Sequence, residues 1–213
     1  MPISWPGANI SGLWWPNYNQ RVQEEIKMIR VTAPLEDARS LRAGDEVLIS
    51  GVIYTARDAA HQRLVKLIEA GEPLPFDPKG AIIYYVGPTP PKPGEPIGSA
   101  GPTTSTRMDS LTVPLLAQGV KGMIGKGGRS QEVIEAMQEH GAVYFAAVGG
   151  AAAYIAQSIK EVQVVAYPDL GAEAVHRMVV EDFPAIVAID SLGNNLYEQG
   201  VAKYRNFGVE EDK

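Results

Sequence analysis

Three short stretches of the chain set cations beside hydroxyls or glycines at the end of a predicted strand, and no others do so. The first is Thr55-Ala56-Arg57-Asp58-Ala59-Ala60-His61, where a strand passes into a helix. A helix N-terminus offers unpaired N–H groups and a partial positive charge, so Arg57 there makes an anion site. The plainer alternative pairs Arg57 with Asp58 or a nearby glutamate and packs His61 on the helix. The second stretch is Gly98-Ser99-Ala100-Gly101-Pro102-Thr103-Thr104-Ser105-Thr106-Arg107-Met108-Asp109. Gly101 allows close backbone approach, Pro102 fixes the chain as it enters four hydroxyl residues, and Arg107 follows within one turn. Hydroxyls, free N–H groups and a guanidinium converging on one spot suit a carboxylate or phosphate. Four consecutive hydroxyls exceed what one helix cap requires. The third stretch is Ile124-Gly125-Lys126-Gly127-Gly128-Arg129-Ser130, whose glycines let backbone approach a ligand while Lys126 supplies charge.

Other chemistries find less support. A P-loop needs glycine, four residues, then Gly-Lys-Ser/Thr; here Gly119 lies one residue too far upstream and Gly127 follows the lysine. No GxGxxG links a strand to a helix. His61, His140 and His176 match no metal-ligand spacing, so no metal site is expected on this chain. No nucleophile elbow supports Ser-His-Asp catalysis. Glu181-Asp182 reads as a solvated strand end. Two arginines and a lysine, each on a βα turn, together with a cluster of threonines describe a receptor for a small molecule with two anionic ends. They do not name a reaction.

The elements that must position these groups follow from periodicity and breakers. Strands are predicted over residues 28–32, 47–54, 81–86, 123–124, 143–148 and 162–166, and strands 175–180 and 185–189 should pair with each other. Helices are predicted over 58–70, stopped by Gly71, from Ser130 to Gly141, and over 151–158. A further helix over 111–118 should begin near Thr112, which leaves Pro114 in its first turn. Ser191-Leu192-Gly193-Asn194 is a turn. Thirteen of the 16 prolines lie at or before Pro102, so the front half should be strands and ordered loops and the rear half a regular α/β alternation. The Pro/Gly loop over 87–102 is long enough to be functional or disordered.

Length and composition bound the rest. At 213 residues the chain is one domain, or one plus an appendage. Residues 1–26 form a preamble in which Trp5, Trp14 and Trp15 sit without helical or strand period, as in a docking arm. Residues 27–207 form the domain, and 208–213 an acidic tail. A net charge of −6 argues against nucleic acid or an anionic membrane as partner. No apolar run approaches the ~18 residues that span a bilayer, and no signal peptide is visible. Cysteine is absent, which removes disulfides, thiolate catalysis and any iron–sulfur cluster ligated by this chain, and fits a reducing cytoplasm.

The stretches Tyr54 to His61, Gly101-Pro102-Thr103-Thr104-Ser105-Thr106-Arg107-Met108-Asp109 and Gly125-Lys126-Gly127-Gly128, in this order, resemble the C-terminal domain, or separate beta subunit, of the class I iron–sulfur fumarate hydratase and L-tartrate dehydratase family. Gly-Pro-Thr-Thr followed by Arg-Met-Asp is the most specific piece. The resemblance runs from about residue 28 to about residue 207 and includes Val180-Glu181-Asp182-Phe183-Pro184-Ala185. Residues 1–26 depart from the family's usual short start, and Thr106 stands where many members carry a smaller residue.

The resemblance implies an α/β fold of three layers, β/β/α, known as a swivelling domain. It implies reversible addition of water to a four-carbon dicarboxylate: (S)-malate to fumarate, or tartrate to oxaloacetate. A four-iron four-sulfur cluster on a partner alpha subunit would bind the substrate hydroxyl and a carboxylate and act as a Lewis acid. Carried over by motif position, Arg57 and Arg107 hold substrate carboxylates, and Thr104 donates a hydrogen bond. Lys126 stabilises the doubly charged aci-carboxylate. Thr103 stands next to the carbon that exchanges a proton, either as an activated base or as a relay to the alpha subunit. A dimer of heterodimers is the implied assembly. The alternative reading is a non-enzymatic module that binds a small dicarboxylate for regulation or scaffolding. A stand-alone hydrolase or transferase lacks a visible nucleophile–base pair.

Overall fold

The computed structural model describes residues 28–147 and 152–205. The docking arm expected over 1–26 and the tail over 208–213 lie outside the described residues, as do Val148 and Ala151 at the ends of two predicted elements.

Seven strands form one sheet: β1 (Ile29–Ala33), β2 (Glu46–Thr55), β3 (Ile82–Tyr84), β4 (Gly122–Gly125), β5 (Val143–Ala146), β6 (Ile159–Ala166) and β7 (Val175–Ile189). Their order is β1-β2-β3-β4-β5-β7-β6. The first five run parallel to their neighbours, and β7 runs antiparallel to β5 and β6. β7 also pairs with β2, so β2, β3, β4, β5 and β7 close a ring. Helices are α1 (Asp58–Ala70), α2 (Asp109–Ala117), α3 (Gln131–His140), α4 (Ala152–Ser158) and α5 (Leu196–Tyr204). The mixed α/β class expected from the sequence is the one observed.

The short central strands are apolar throughout because both of their faces are covered. Alternate side chains separate into two cores, as a strand's period of two requires. Ile82, Tyr84, Ile124, Val143 and Phe145 join Ile49, Ile53, Met178, Phe183 and Val187 among the strands. Ile83, Tyr85, Met123 and Tyr144 face the other way and meet Leu64 of α1, Leu115 and Leu116 of α2, and Val133 and Met137 of α3. The helices that begin at the candidate stretches are thereby fixed to one face of the strands. Gly71 ends α1 in the left-handed region and the Ser130 side chain accepts from Val133 N–H at the start of α3, as expected; Asp58, also expected to cap α1, instead lies inside its first turn, and the N-cap is Arg57 with no side-chain cap bond.

Four details correct the sequence reading. Residues 175–180 and 185–189 do not pair with each other; they are two parts of the 15-residue strand β7, which lies along β2. The chain bulges at Asp182 (φ 49°) instead of turning back, opposite a register shift between Ile49 and Gly51 of β2. Glu181 and Asp182 sit on that bulge within the strand, exposed but paired with Lys160 and Arg30. Helix α2 begins at Asp109, which puts Pro114 in its interior. The carbonyl that loses its partner there belongs to Ser110, an exposed residue. Helix α5, capped by the Asn195 side chain, had no predicted counterpart. No helix among the described residues is long and apolar enough to cross a membrane.

Candidate functional site

The three candidate stretches are the connections that leave β2, β3 and β4, neighbours in the sheet. They meet at the carboxyl ends of these parallel strands. After β3 the chain leaves through Val86, crosses the Pro/Gly loop and returns as Pro102, which bridges back to Val86. Thr103 N–H then donates to Tyr85 O at 2.7 Å. Lys126 N–H donates to Thr103 O at 3.3 Å, and Ser105 N–H donates to Lys126 O at 3.0 Å. Thr104 and Lys126 thus lie side by side as a parallel bridge. The approach needs glycine at position 125, because a Cβ there would overlap Ser105 Oγ and lie 3.0 Å from the Tyr85 ring.

Arg107 sits on the 3-10 turn Ser105–Met108 that leads into α2. Its Nε donates to Asp58 Oδ1 at 3.0 Å. Arg57 is the N-cap of α1, and its Nη2 lies 3.9 Å from the other Asp58 oxygen and 3.4 Å from Glu173 Oε1. Gly87 makes room for this guanidinium, since a Cβ there would come within 2.8 Å of Arg57 Nη1. The two arginines therefore meet one carboxylate. The plainer pairing weighed for Arg57, with Asp58 or a glutamate, is present, and it coexists with convergence on Arg107. All five sequence candidates, Arg57, Thr103, Thr104, Arg107 and Lys126, lie on these three adjoining connections.

Arg107, Thr104 and Lys126 are exposed, while Arg57 keeps 22% of its side-chain surface. The arrangement is an open cationic surface lined by hydroxyls. The cavities of about 670 Å³ beside the loop over 89–99 and about 470 Å³ beside β1 are lined by other residues. Arg57 Nε, Asp58 Oδ2 and His61 Nε2, all in the first turn of α1, are buried without a hydrogen-bond partner among the described residues. His61 itself is core: its Nδ1 lies 3.0 Å from Arg57 O and its ring meets Tyr85 edge-on. Burial lowers its pKa to about 4, so the ring is neutral.

Beneath the surface lies a group that sequence reasoning passed over. The Arg129 side chain is fully buried and donates to Asp109 Oδ1 (2.7 Å), Tyr85 Oη (3.1 Å) and Thr112 Oγ1 (2.8 Å). It also lies 5.3 Å from the Tyr85 and Tyr144 ring centroids. Burial alone would lower its pKa, but Tyr85 and Asp109 outweigh burial and raise it. Asp109 Oδ2 accepts Ser130 N–H at 2.7 Å, which ties the start of α2 to the start of α3. Arg129 follows Gly127-Gly128 and Asp109 closes Arg-Met-Asp, so both stood within the marked stretches. Only their spatial pairing was illegible.

The chain has no cysteine, and the described residues contain no group of three His, Cys, Asp or Glu side chains able to hold a metal ion. These residues do not fit an iron–sulfur cluster. What the surface can do is bind and orient a small anion and place hydroxyl and ammonium groups beside it.

Residues 9–200 match the family model described as Fumarase C-terminus. The class I, anaerobic fumarate hydratase of Escherichia coli is 46% identical over 157 residues, 73% of this chain and 29% of that protein. The fumarate hydratase 2 of Leishmania major is 42% identical over 161 residues, 75% of this chain and 28% of that protein. A Methanocaldococcus jannaschii protein, named provisionally as an L(+)-tartrate dehydratase subunit beta, is 41% identical over 170 residues, 77% of this chain and 87% of that protein. The chain spans less than a third of the length of the two fumarate hydratases.

Proposed function

The chain belongs to the Fumarase C-terminus family, and from that premise we propose that it is the beta subunit of a two-subunit iron–sulfur hydro-lyase acting on a four-carbon dicarboxylate. Fumarate and (S)-malate are the favoured pair, with L-tartrate to oxaloacetate as the variant reaction. The observation that carries this reading is the convergence of Arg57 and Arg107 on one carboxylate, with Lys126, Thr103 and Thr104 on the adjoining connections.

In this reading Arg107 holds one substrate carboxylate through its outer pair of N–H groups, and Arg57 attracts the other. Thr104 donates a hydrogen bond to the bound acid. Lys126 brings positive charge to the carboxylate whose neighbouring carbon loses a proton, where negative charge accumulates in the transition state. Thr103 stands beside that carbon. A neutral hydroxyl is a weak base, so Thr103 passes the proton on or is activated by a group beyond this chain.

The four-iron four-sulfur cluster belongs, in this proposal, to a separate alpha subunit, because this sequence has no cysteine and the described residues offer no ligand set for it. Support for a two-chain enzyme comes from the M. jannaschii relative, which is named a beta subunit and is matched over most of its length. We assign a dimer of heterodimers, a three-layer β/β/α swivelling domain over residues 27–207 and a reducing cytoplasmic setting as parts of the same proposal. Helices α1, α2 and α3 packed over strands that enclose a second core support the layering.

Anaerobic reconstitution with the cluster-bearing partner, followed by assay of malate, fumarate and tartrate, tests the reading. Hydration or dehydration of one of these acids by the mixture, and by neither chain alone, is expected. A complex that binds these acids without turning them over would instead identify a non-enzymatic dicarboxylate module.

A further inference from the structure

We infer that Asp58 is a positioning residue for the two substrate arginines, setting the spacing and direction of the guanidinium pair before substrate arrives. The inference rests on the dicarboxylate reading of the site and adds a residue to it.

Asp58 occupies the first helical position of α1 and spends both carboxylate oxygens on the site. Oδ1 accepts from Arg107 Nε at 3.0 Å, and Oδ2 faces Arg57 Nη2 at 3.9 Å. A bond to Nε engages the inner edge of the Arg107 guanidinium and leaves its outer pair of N–H groups for an incoming carboxylate. Arg107 is otherwise a long side chain that keeps 52% of its surface, with rotamer freedom to lose on binding. Arg57 is held by a second carboxylate as well: Glu173 Oε1 lies 3.4 Å from the same Nη2, and Glu173 Oε2 accepts Ala59 N–H at 3.3 Å. Two acidic groups thus fix two guanidiniums that would otherwise repel each other. Asp58 Oδ2 is buried and accepts no hydrogen bond.

Two simpler roles predict different results. A carboxylate that only stabilises the α1 N-terminus would change thermal stability and leave ligand affinity alone. A carboxylate that acts only through its field would weaken anion binding while present, so its removal would tighten binding. Positioning predicts the reverse sign.

The experiment measures binding of succinate, an unreactive dicarboxylate, by calorimetry to the reconstituted complex. It compares wild type, D58A, D58N, R107A and D58A/R107A. D58A is expected to weaken succinate about fivefold, the cost of ordering one rotamer-rich side chain. D58N retains an acceptor for Arg107 Nε and should recover part of that loss. The double variant should bind only slightly worse than R107A, because what Asp58 does through Arg107 is already lost there and its hold on Arg57 is the longer contact. Unchanged or tighter binding by D58A, beside weakened binding by R107A, overturns this inference alone. A full fivefold cost of D58A in the R107A background overturns it too. Unchanged binding by R107A overturns the dicarboxylate reading itself.

Discussion

At the residue scale, what matters is which atoms of each side chain remain available. Arg107 spends its Nε on Asp58, so its contribution to a ligand lies in the planar fork that remains. Arg107→Lys keeps the charge and loses the fork. We expect turnover by the complex to fall about 100-fold, as small misplacements in a site do, while stability stays within about 0.5 kcal/mol at this exposed position. Steady-state kinetics beside thermal melts of the same samples check both. His61 gives a second residue-scale prediction. Its folded-state pKa is depressed from the ordinary 6.5 to about 4. Between these values the unfolded chain binds a proton that the folded one refuses, so stability falls as pH drops from 6.5 towards 4. The loss is about 3 kcal/mol from this one group. His61→Asn should flatten the urea-derived stability profile over that window and leave it unchanged in slope above pH 7. The marked residues were legible because arginine, lysine and threonine at strand ends are unusual enough to stand out. Asp58 was legible as a helix cap, which it is not, and as a competitor for Arg57, since sequence cannot show that one carboxylate serves two arginines.

At the element scale, the site is an arrangement of three βα connections, and their mutual position depends on the buried Arg129. It joins Asp109 at the start of α2 to Tyr85, the residue that follows β3, and Asp109 in turn reaches Ser130 at the start of α3. Arg129→Met would leave the partly buried Asp109 carboxylate without its cation. We expect a loss of about 3–5 kcal/mol in equilibrium unfolding, the range for breaking a buried ion pair from one side. The remaining folded protein should also bind succinate more weakly, because Lys126 and Thr104 hang from the connections that Arg129 braces. Helices α1 and α3 were readable from their caps and apolar spacing, and β3 to β5 from short apolar runs. The single strand β7 was not, because Glu181-Asp182-Phe183-Pro184 has the composition of a turn. Only the long-range pairing with β2, with Gly51 at φ 119° opposite the bulge, keeps the chain extended through it. Likewise Pro114 argued for a later start to α2, but the helix begins at Asp109 and the carbonyl left without a partner belongs to an exposed residue, Ser110.

At the scale of the whole molecule, the described chain presents a cationic, hydroxyl-lined surface and no ligand set for a metal among the described residues. A surface so exposed binds a small dianion weakly in water, where charge pairs at ~4 Å are worth about 1 kcal/mol each. Covering it with a partner would exclude water and strengthen every one of these interactions. The general class of fold followed from sequence because it rests on local patterns, and the three marked stretches were legible for the same reason. The ring closed by β2 and β7 did not, since it depends on contacts more than a hundred residues apart. The most direct measurement of the central claim is an anaerobic titration of a fixed amount of cluster-bearing partner with this chain, following fumarate formed from malate. The account predicts no activity from either chain alone, a plateau near equal amounts, and for Arg107→Lys the same equivalence point with a much lower plateau. Turnover by this chain without its partner, or an Arg107→Lys plateau equal to wild type, would contradict it.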